Sequence, residues 1–175
     1  MLRSFIHRVH RLDAAVFLWM LSSRYQAFWQ RLSRMVSRSG DGWWYAGLFL
    51  ALLLLDVINQ RFFLVVLQAF TIERAIYFVM KNGLRRNRPQ DSLDNFVSYI
   101  TPHDRFSLPS GHASAAFLTA TILTFLAPVW AIMFYFWAGL VGTSRIMMGV
   151  HFPGDVIIGA VLGSIAAHST LSFML

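Results

Sequence analysis

Cysteine is absent from the 175 residues, which excludes disulfides, a thiol nucleophile and cysteine-ligated metal while leaving the compartment open. Charge is scarce as well. Only 13% of residues are Asp, Glu, Lys or Arg, against about 25% in an average soluble protein. There is no internal repeat or linker, and the length suits a single domain. The longest polar stretch between apolar segments, 81–108, is too short to hold a soluble lid domain. What remains is 57% hydrophobic, a composition that assigns most of the chain to a bilayer.

The net charge of +7 comes mostly from arginine, and seven arginines precede Gly40. Such a balance is one signature of nucleic-acid binding. Here the basic residues accompany regularly spaced aromatics, which points to a surface of anionic lipid instead, with no nucleic-acid partner. Residues 2–20 place Leu2, Phe5, Ile6, Val9, Leu12, Val16 and Trp19 on one helical face, with Arg3, His7, His10 and Arg11 mostly opposite. A second amphipathic helix sets Tyr25, Phe28, Trp29, Leu32 and Val36 against Arg24, Arg31, Arg34 and Arg38. Both fall short of the roughly 20 apolar residues a span requires, so residues 1–40 are read as interfacial helices ahead of a membrane bundle over 41–175. The alternative is one imperfect span from Leu12 to Trp29, burying Asp13 or Arg24 near its ends. A cleaved signal peptide is disfavoured, because the apolar core Ala14 to Leu21 is short and no small-x-small site follows it cleanly.

Five apolar segments follow: Trp43 to Ile58, Phe62 to Met80, His112 to Ala127, Val129 to Met147 and Phe152 to Phe173. They predict an all-α polytopic bundle of five transmembrane helices, or six if residues 12–29 also cross. Glu73 and Arg74 lie inside the second span and must face the bundle interior, as an ion pair or as support for a site near Lys81. Gly159, Gly163 and Ala167 recur every four residues as a seam for close helix packing. Counting crossings puts the N-terminal helices, the 81–111 region and the 145–151 turn on one face, and Arg61 and the C-terminus on the other.

Three polar clusters therefore share a face. The first is Lys81, six residues, then Arg88-Pro89. The second is Pro109-Ser110-Gly111-His112, and the third is Ser144-Arg145, five residues, His151, three residues, Asp155. Lys81, Arg88 and Arg145 supply fixed cationic donors for a group charged on every non-bridging oxygen. Ser110 and the backbone N–H groups after Pro109 add donors at a helix N-terminus, where Gly111 removes a Cβ from the approach. The four-residue spacing of His151 and Asp155 allows the carboxylate to hold one ring nitrogen while the other attacks phosphorus. His112 is then the general acid toward the leaving group and the base toward water. A divalent-metal site from His112, His151 and Asp155 is opposed by the three cations beside it, so neither metal nor cofactor is expected.

These motifs, in this order, resemble the type 2 phosphatidic acid phosphatase family, which shares its site with vanadium haloperoxidases and certain bacterial acid phosphatases. The resemblance covers roughly Trp43 to Phe173. It implies a membrane lipid phosphatase with His151 as nucleophile, Asp155 as its orienter and His112 as acid–base, acting through a phosphohistidine. Its small bacterial relatives act on isoprenoid diphosphates, phosphatidate or phosphatidylglycerophosphate; the compact chain without a cap favours undecaprenyl diphosphate, at the outer side of the bacterial inner membrane. The arginine excess near the spans argues for the cytoplasmic side instead. Lipid-to-lipid phosphotransfer, and a lipid-binding or transport subunit with a relic anion site, are the alternatives. His103, Asp104 and Arg105 are expected in a solvated loop, Arg85 and Arg86 against lipid, and His7, His10 and His168 without a role.

Overall fold

The computed structural model describes residues 2–102 and 104–173, with side chains from residue 8 onward. The expectation for His103, and those for the side chains of Leu2, Arg3, Phe5, Ile6 and His7, lie outside the described residues. The described chain is all-α. It runs α1 (Leu2–Leu21), α2 (Gln26–Arg38), α3 (Gly42–Leu54), α4 (Gln60–Leu84), the single turn α5 (Pro89–Ser92), α6 (Gly111–Leu126), α7 (Ala131–Met147) and α8 (Pro153–Ser172).

Local chemistry sets the helix boundaries that matter for the site. Asn59 starts α4 by accepting the Phe62 N–H at 2.9 Å, an N-cap. Arg85 ends it in the left-handed region at φ 47°, which breaks the helix where the polar stretch begins. Pro128 stops α6, and Pro153 sits in the first turn of α8, where a missing N–H costs nothing.

Among the described residues, three helical stretches are long and apolar enough to cross a membrane: 60–92, 128–147 and 153–172. The apolar helices Gly42–Leu54 and Gly111–Leu126 are shorter, so length and composition support three crossings where five or six were expected. The first expected span is cut short because Asp56 turns left-handed at φ 55°, folding 55–58 away from the helix axis. The single span from Leu12 to Trp29 is overturned, since α1 ends at Leu21 and α2 begins at Gln26.

The bundle centres on α6, which packs on α8 and α7, while α4 closes against α8. The predicted small-residue seam is the α6–α8 contact. A Cβ on Gly163 would lie 2.0 Å from the Ser114 carbonyl oxygen, and one on Gly159 2.5 Å from that of Ser110. Ala167 is fully buried in the same core as Leu118 and Ile122. Outside, the apolar stripes of the amphipathic helices face away from the bundle: Val9, Leu12, Val16 and Trp19 on α1 and Phe28, Trp29, Leu32 and Met35 on α2 are exposed. α2 instead buries Ser33 and Ser37 and docks on α7, and α1 docks through Phe17 and Leu21 against Ile146 and Phe152. A protein surrounded by lipid has no reason to turn these aromatics inward.

Gly163→Ala forces backbone apart and is expected to lower stability by about 1–3 kcal/mol, the scale of overpacking. Gly139→Ala, where a Cβ meets nothing within 4 Å, is the control expected to leave it unchanged. Thermal unfolding of the two variants in detergent checks this.

Candidate active site

Chain segments far apart in sequence are tied together at one end of the bundle. Arg88 comes from the segment entering α5, and its Nη1 donates to the Val150 carbonyl at 2.5 Å. The Ser110 N–H donates to the Asp155 carbonyl at 3.0 Å, so the starts of α6 and α8 meet. Arg145, at the end of α7, donates from Nη1 to Ser37 Oγ on α2 at 2.7 Å. The shared face inferred from crossings is thus seen as direct contact. Gly149, at φ +77°, reverses the chain after α7 and sends Val150 and His151 back toward the site.

These elements surround a cavity of about 630 Å³ between α3, α4 and the start of α6. Its walls divide sharply. One end is lined by Arg88, Gly111, His112, Arg145 and His151, and the other by Ala46, Phe49, Leu50, Phe63, Val66 and Phe70. Of the eight residues expected to form the site, those five border the cavity directly. Lys81, Ser110 and Asp155 are buried just behind it. The Ser110 hydroxyl accepts from the Ala113 N–H at 3.5 Å as the N-cap of α6, and at Gly111 a Cβ would press to 3.1 Å on the Tyr77 ring.

Each imidazole has a carboxylate neighbour. His112 Nε2 lies 3.0 Å from Asp41 Oδ1, the residue preceding α3. His151 Nδ1 lies 3.7 Å from Asp155 Oδ2 and, buried, has no hydrogen-bond partner at that distance. Asp155 Oδ2 accepts the Phe152 N–H at 2.8 Å, and Oδ1 accepts from Arg86 at 2.8 Å. Burial pushes the His151 pKa down to about 4, and the positive charges of Arg88 and Arg145 add to this against the opposing pull of Asp155. The ring is therefore neutral, with a lone pair available at neutral pH.

The cations already hold an anion. Asp104 Oδ2 accepts from Lys81 Nζ at 2.8 Å and from the Tyr77 hydroxyl at 2.8 Å, while Oδ1 pairs with Arg88 Nη2. Burial alone would raise the Asp104 pKa, but the hydrogen bonds from Lys81, Tyr77 and Arg88 outweigh it and hold the carboxyl well below the usual carboxylate range. Asp104 was expected in a solvated loop; it is in the site, because a buried ammonium and guanidinium require a counter-charge. Arg145 Nε, by contrast, is buried without a partner in the protein.

Other expectations also need correcting. Arg86 does not face lipid but bridges Asp155 and Asp13, and His10 is not inert, since its Nδ1 lies 3.2 Å from Arg86 Nη2. Asp41, which no motif in the sequence singles out, faces His112. For Glu73 the ion-pair reading holds: its carboxylate takes two 2.5 Å bonds from Arg74 and a hydrogen bond from Ser114. Arg74 also reaches the Gly111 carbonyl at 3.4 Å, which ties that pair to the site. Among the described residues no cluster of three or more His, Asp or Glu side chains is arranged to hold a metal ion.

Two histidines, two arginines and a helix N-terminus lie at one end of a cavity in an all-α membrane bundle, with Lys81 behind them, an arrangement whose charge and donors suit a tetrahedral oxyanion. The sequence pattern of the PAP2 superfamily matches residues 61–175, and the chain belongs to that superfamily. Among similar proteins, the "Lipid A 1-phosphatase" of Rhizobium etli is 36% identical over 91 residues, 49% of this chain and 38% of that protein. The "Undecaprenyl-diphosphatase" of Sulfolobus acidocaldarius is 34% identical over 116 residues, 65% of this chain and 56% of that protein. The chain thus matches little more than half the length of these curated relatives at most. The crystal structure of Aquifex aeolicus LpxE superposes with a TM-score of 0.78 at 25% identity, covering 92% of this chain and 95% of that one. The PAP2-type phosphatidylglycerolphosphate phosphatase of Bacillus subtilis superposes with a TM-score of 0.79 at 24% identity, over 95% of this chain and 86% of that one, a likeness of fold.

Because Asp104 competes for the donors an oxyanion would use, Asp104→Asn is expected to bind orthovanadate more tightly, by roughly tenfold, the scale on which removing a like charge acts. Calorimetric titration of the detergent-solubilised protein measures it. Unchanged or weaker binding would mean that the carboxylate arranges the donors and does not compete for them.

Proposed function

We propose that the chain is an integral-membrane hydrolase of lipid phosphates or diphosphates that works through a phosphohistidine and without metal. The observation that carries this reading is the divided cavity, cationic and histidine-lined at one end and apolar at the other. An amphiphile with a charged head and hydrocarbon tail matches both halves.

In the proposed reaction Lys81, Arg88, Arg145 and the N–H groups at the start of α6 neutralise the phosphoryl oxygens. His151 Nε2 attacks phosphorus, and the bond from phosphorus to the leaving oxygen breaks as His112 donates a proton to it. Asp155 closes on Nδ1 as positive charge develops on the ring. His112 then takes a proton from water, which attacks the phosphohistidine, releases inorganic phosphate and restores His151. Ser110 serves chiefly by capping α6 so that its N–H groups point into the site.

The proposed substrate is undecaprenyl diphosphate, yielding undecaprenyl phosphate and phosphate, a reading supported by the likeness to the Sulfolobus protein. A phosphate of lipid A is the second reading, supported by the likeness to the Rhizobium protein; phosphatidate, phosphatidylglycerophosphate and lipid-to-lipid transfer are distinguished by the same assay. We further propose that α3 and α6 traverse the bilayer with α4, α7 and α8, since α3 and α6 each start at the site and run to the opposite end. Residues 1–40 then lie along the surface and 41–175 form the phosphatase bundle. The site is placed on the outer side of a bacterial inner membrane, and an inactive alkaline-phosphatase fusion at Leu175 is the result expected from that placement.

Phosphate release from these four lipids in mixed micelles tests the function. The wild type is expected to release phosphate in the presence of chelator, and His151→Ala to lose at least roughly a thousandfold in kcat, as when a nucleophile is removed. Because the folded imidazole titrates at about 4 and not at its ordinary 6.5, the acid limb of kcat is expected nearer pH 4 to 5. Between those values the unfolded chain binds a proton that the folded chain does not, so stability is expected to fall as pH drops from about 6.5 to about 4. Near-normal turnover by His151→Ala, or silence of the wild type on every lipid, overturns the reading.

A further inference from the structure

The carboxylate behind His151 is not held by its own helix alone. Asp155 Oδ1 accepts from Arg86 Nη1 at 2.8 Å, and Arg86 Nη2 donates to Asp13 Oδ2 on α1 at 2.6 Å. The other oxygen of Asp13 accepts the Gly154 N–H at 2.8 Å, in the first turn of α8. One guanidinium thus bridges two carboxylates at the start of the helix that follows His151, and all three groups are at least four-fifths buried. The contact is closely fitted: a Cβ on Gly154 would come to 2.8 Å from Asp13 Oδ2. Arg86 also stacks over the Phe152 ring at 4.5 Å, and the edges of His10 and Phe17 meet that same ring at 5.4 Å each.

We infer that Asp13 and Arg86 are positioning residues for catalysis, acting through Asp155 on His151; the inference rests on the proposed phosphatase reading. The geometry gives each a distinct task. Asp155 has two oxygens: Oδ2, which accepts the Phe152 N–H, faces His151 Nδ1 at 3.7 Å, and its approach to that nitrogen is set by a grip on Oδ1. Arg86 is that grip. A guanidinium held by one carboxylate can swivel, whereas the fork between Asp13 and Asp155 fixes both its ends. Asp13 is therefore what sets the rotation of Arg86, and an amphipathic helix outside residues 61–175 takes part in aligning the nucleophile.

The test is steady-state phosphate release by full-length protein in mixed micelles, with Asp13→Asn, Arg86→Gln, the double variant and His151→Ala side by side. Asp13→Asn is expected to lower kcat roughly tenfold or more, the scale on which small misplacement of a reacting group acts, with KM within about twofold of wild type and an unchanged melting temperature. The double variant is expected to be no worse than Arg86→Gln, because Asn at position 13 keeps an acceptor for the Gly154 N–H and the carboxylate it replaces acts on Asp155 through Arg86. Charge gives a further signature. His151 is faced by Asp155 on α8, by Arg88 ahead of α5 and by Arg145 on α7, none of which is altered. Removing the positive Arg86 is expected to move the acid limb of kcat to higher pH, and removing the negative Asp13 to lower pH.

A wild-type kcat for Asp13→Asn overturns the inference, as do additive losses in the double variant. So does a loss that appears in KM and melting temperature alone, which is the mark of an undocked α1. Should Arg86→Gln fail to fold, Asp13→Asn decides by its kcat, KM and pH profile. An active wild type with a dead His151→Ala and an unimpaired Asp13→Asn refutes the positioning role and leaves the phosphatase reading standing. A wild type inactive on every lipid refutes both.

Discussion

Holding three cationic side chains together out of water is the constraint on which the rest of this molecule depends. Lys81, Arg88 and Arg145 are each at most 7% exposed; Asp104 supplies the hydrogen-bonded counter-charge that Lys81 and Arg88 require, while Arg145 is held by the Ser37 hydroxyl. The chain has eight acidic residues. Asp13, Asp41, Glu73, Asp104 and Asp155 all converge on the arginines, lysine and histidines at this one end of the bundle. Asp56, Asp91 and Asp94 alone lie elsewhere. Acidic residues here are placed with the site in view, and the helices are the means of bringing them to it.

The packing follows from the same need. α6 can deliver Gly111 and His112 beside Asp155 only if its backbone approaches α8 closely, and Gly159 and Gly163 permit this by having no side chain to intervene. α2 offers Ser37 to Arg145 because its small polar face is the inward one. Its aromatics turn outward, where they do not compete for the core.

Much of this was legible in the sequence. The long apolar segments gave the all-α membrane bundle, and their count placed the three motifs at one end, where the contacts among Arg88, Val150, Ser110 and Asp155 are found. The cationic and histidine residues announced themselves by spacing because each motif lies within one short segment. The acids did not. Asp13 meets Gly154 across 141 positions and Asp41 meets His112 across 71, and a pairing of that range leaves no periodicity to read. Asp104 was misplaced for a related reason, since a charged tripeptide in a polar stretch has the composition of solvated loop whether or not a buried lysine waits for it. The first apolar run outlasts its helix because hydropathy reports how far apolar character extends and not where the backbone turns, as it does at Asp56.

The two-sided lining of the cavity bears on what happens after bond cleavage. For a reaction of the proposed kind, one fragment is hydrocarbon and the other a small hydrated ion. The lining of Phe49 and Leu50 on α3 and of Phe63 on α4 suits the first, and the end bordered by Arg88 and Arg145 suits the second. Products drawn to opposite ends of one cavity by opposite solvation preferences have little tendency to recombine.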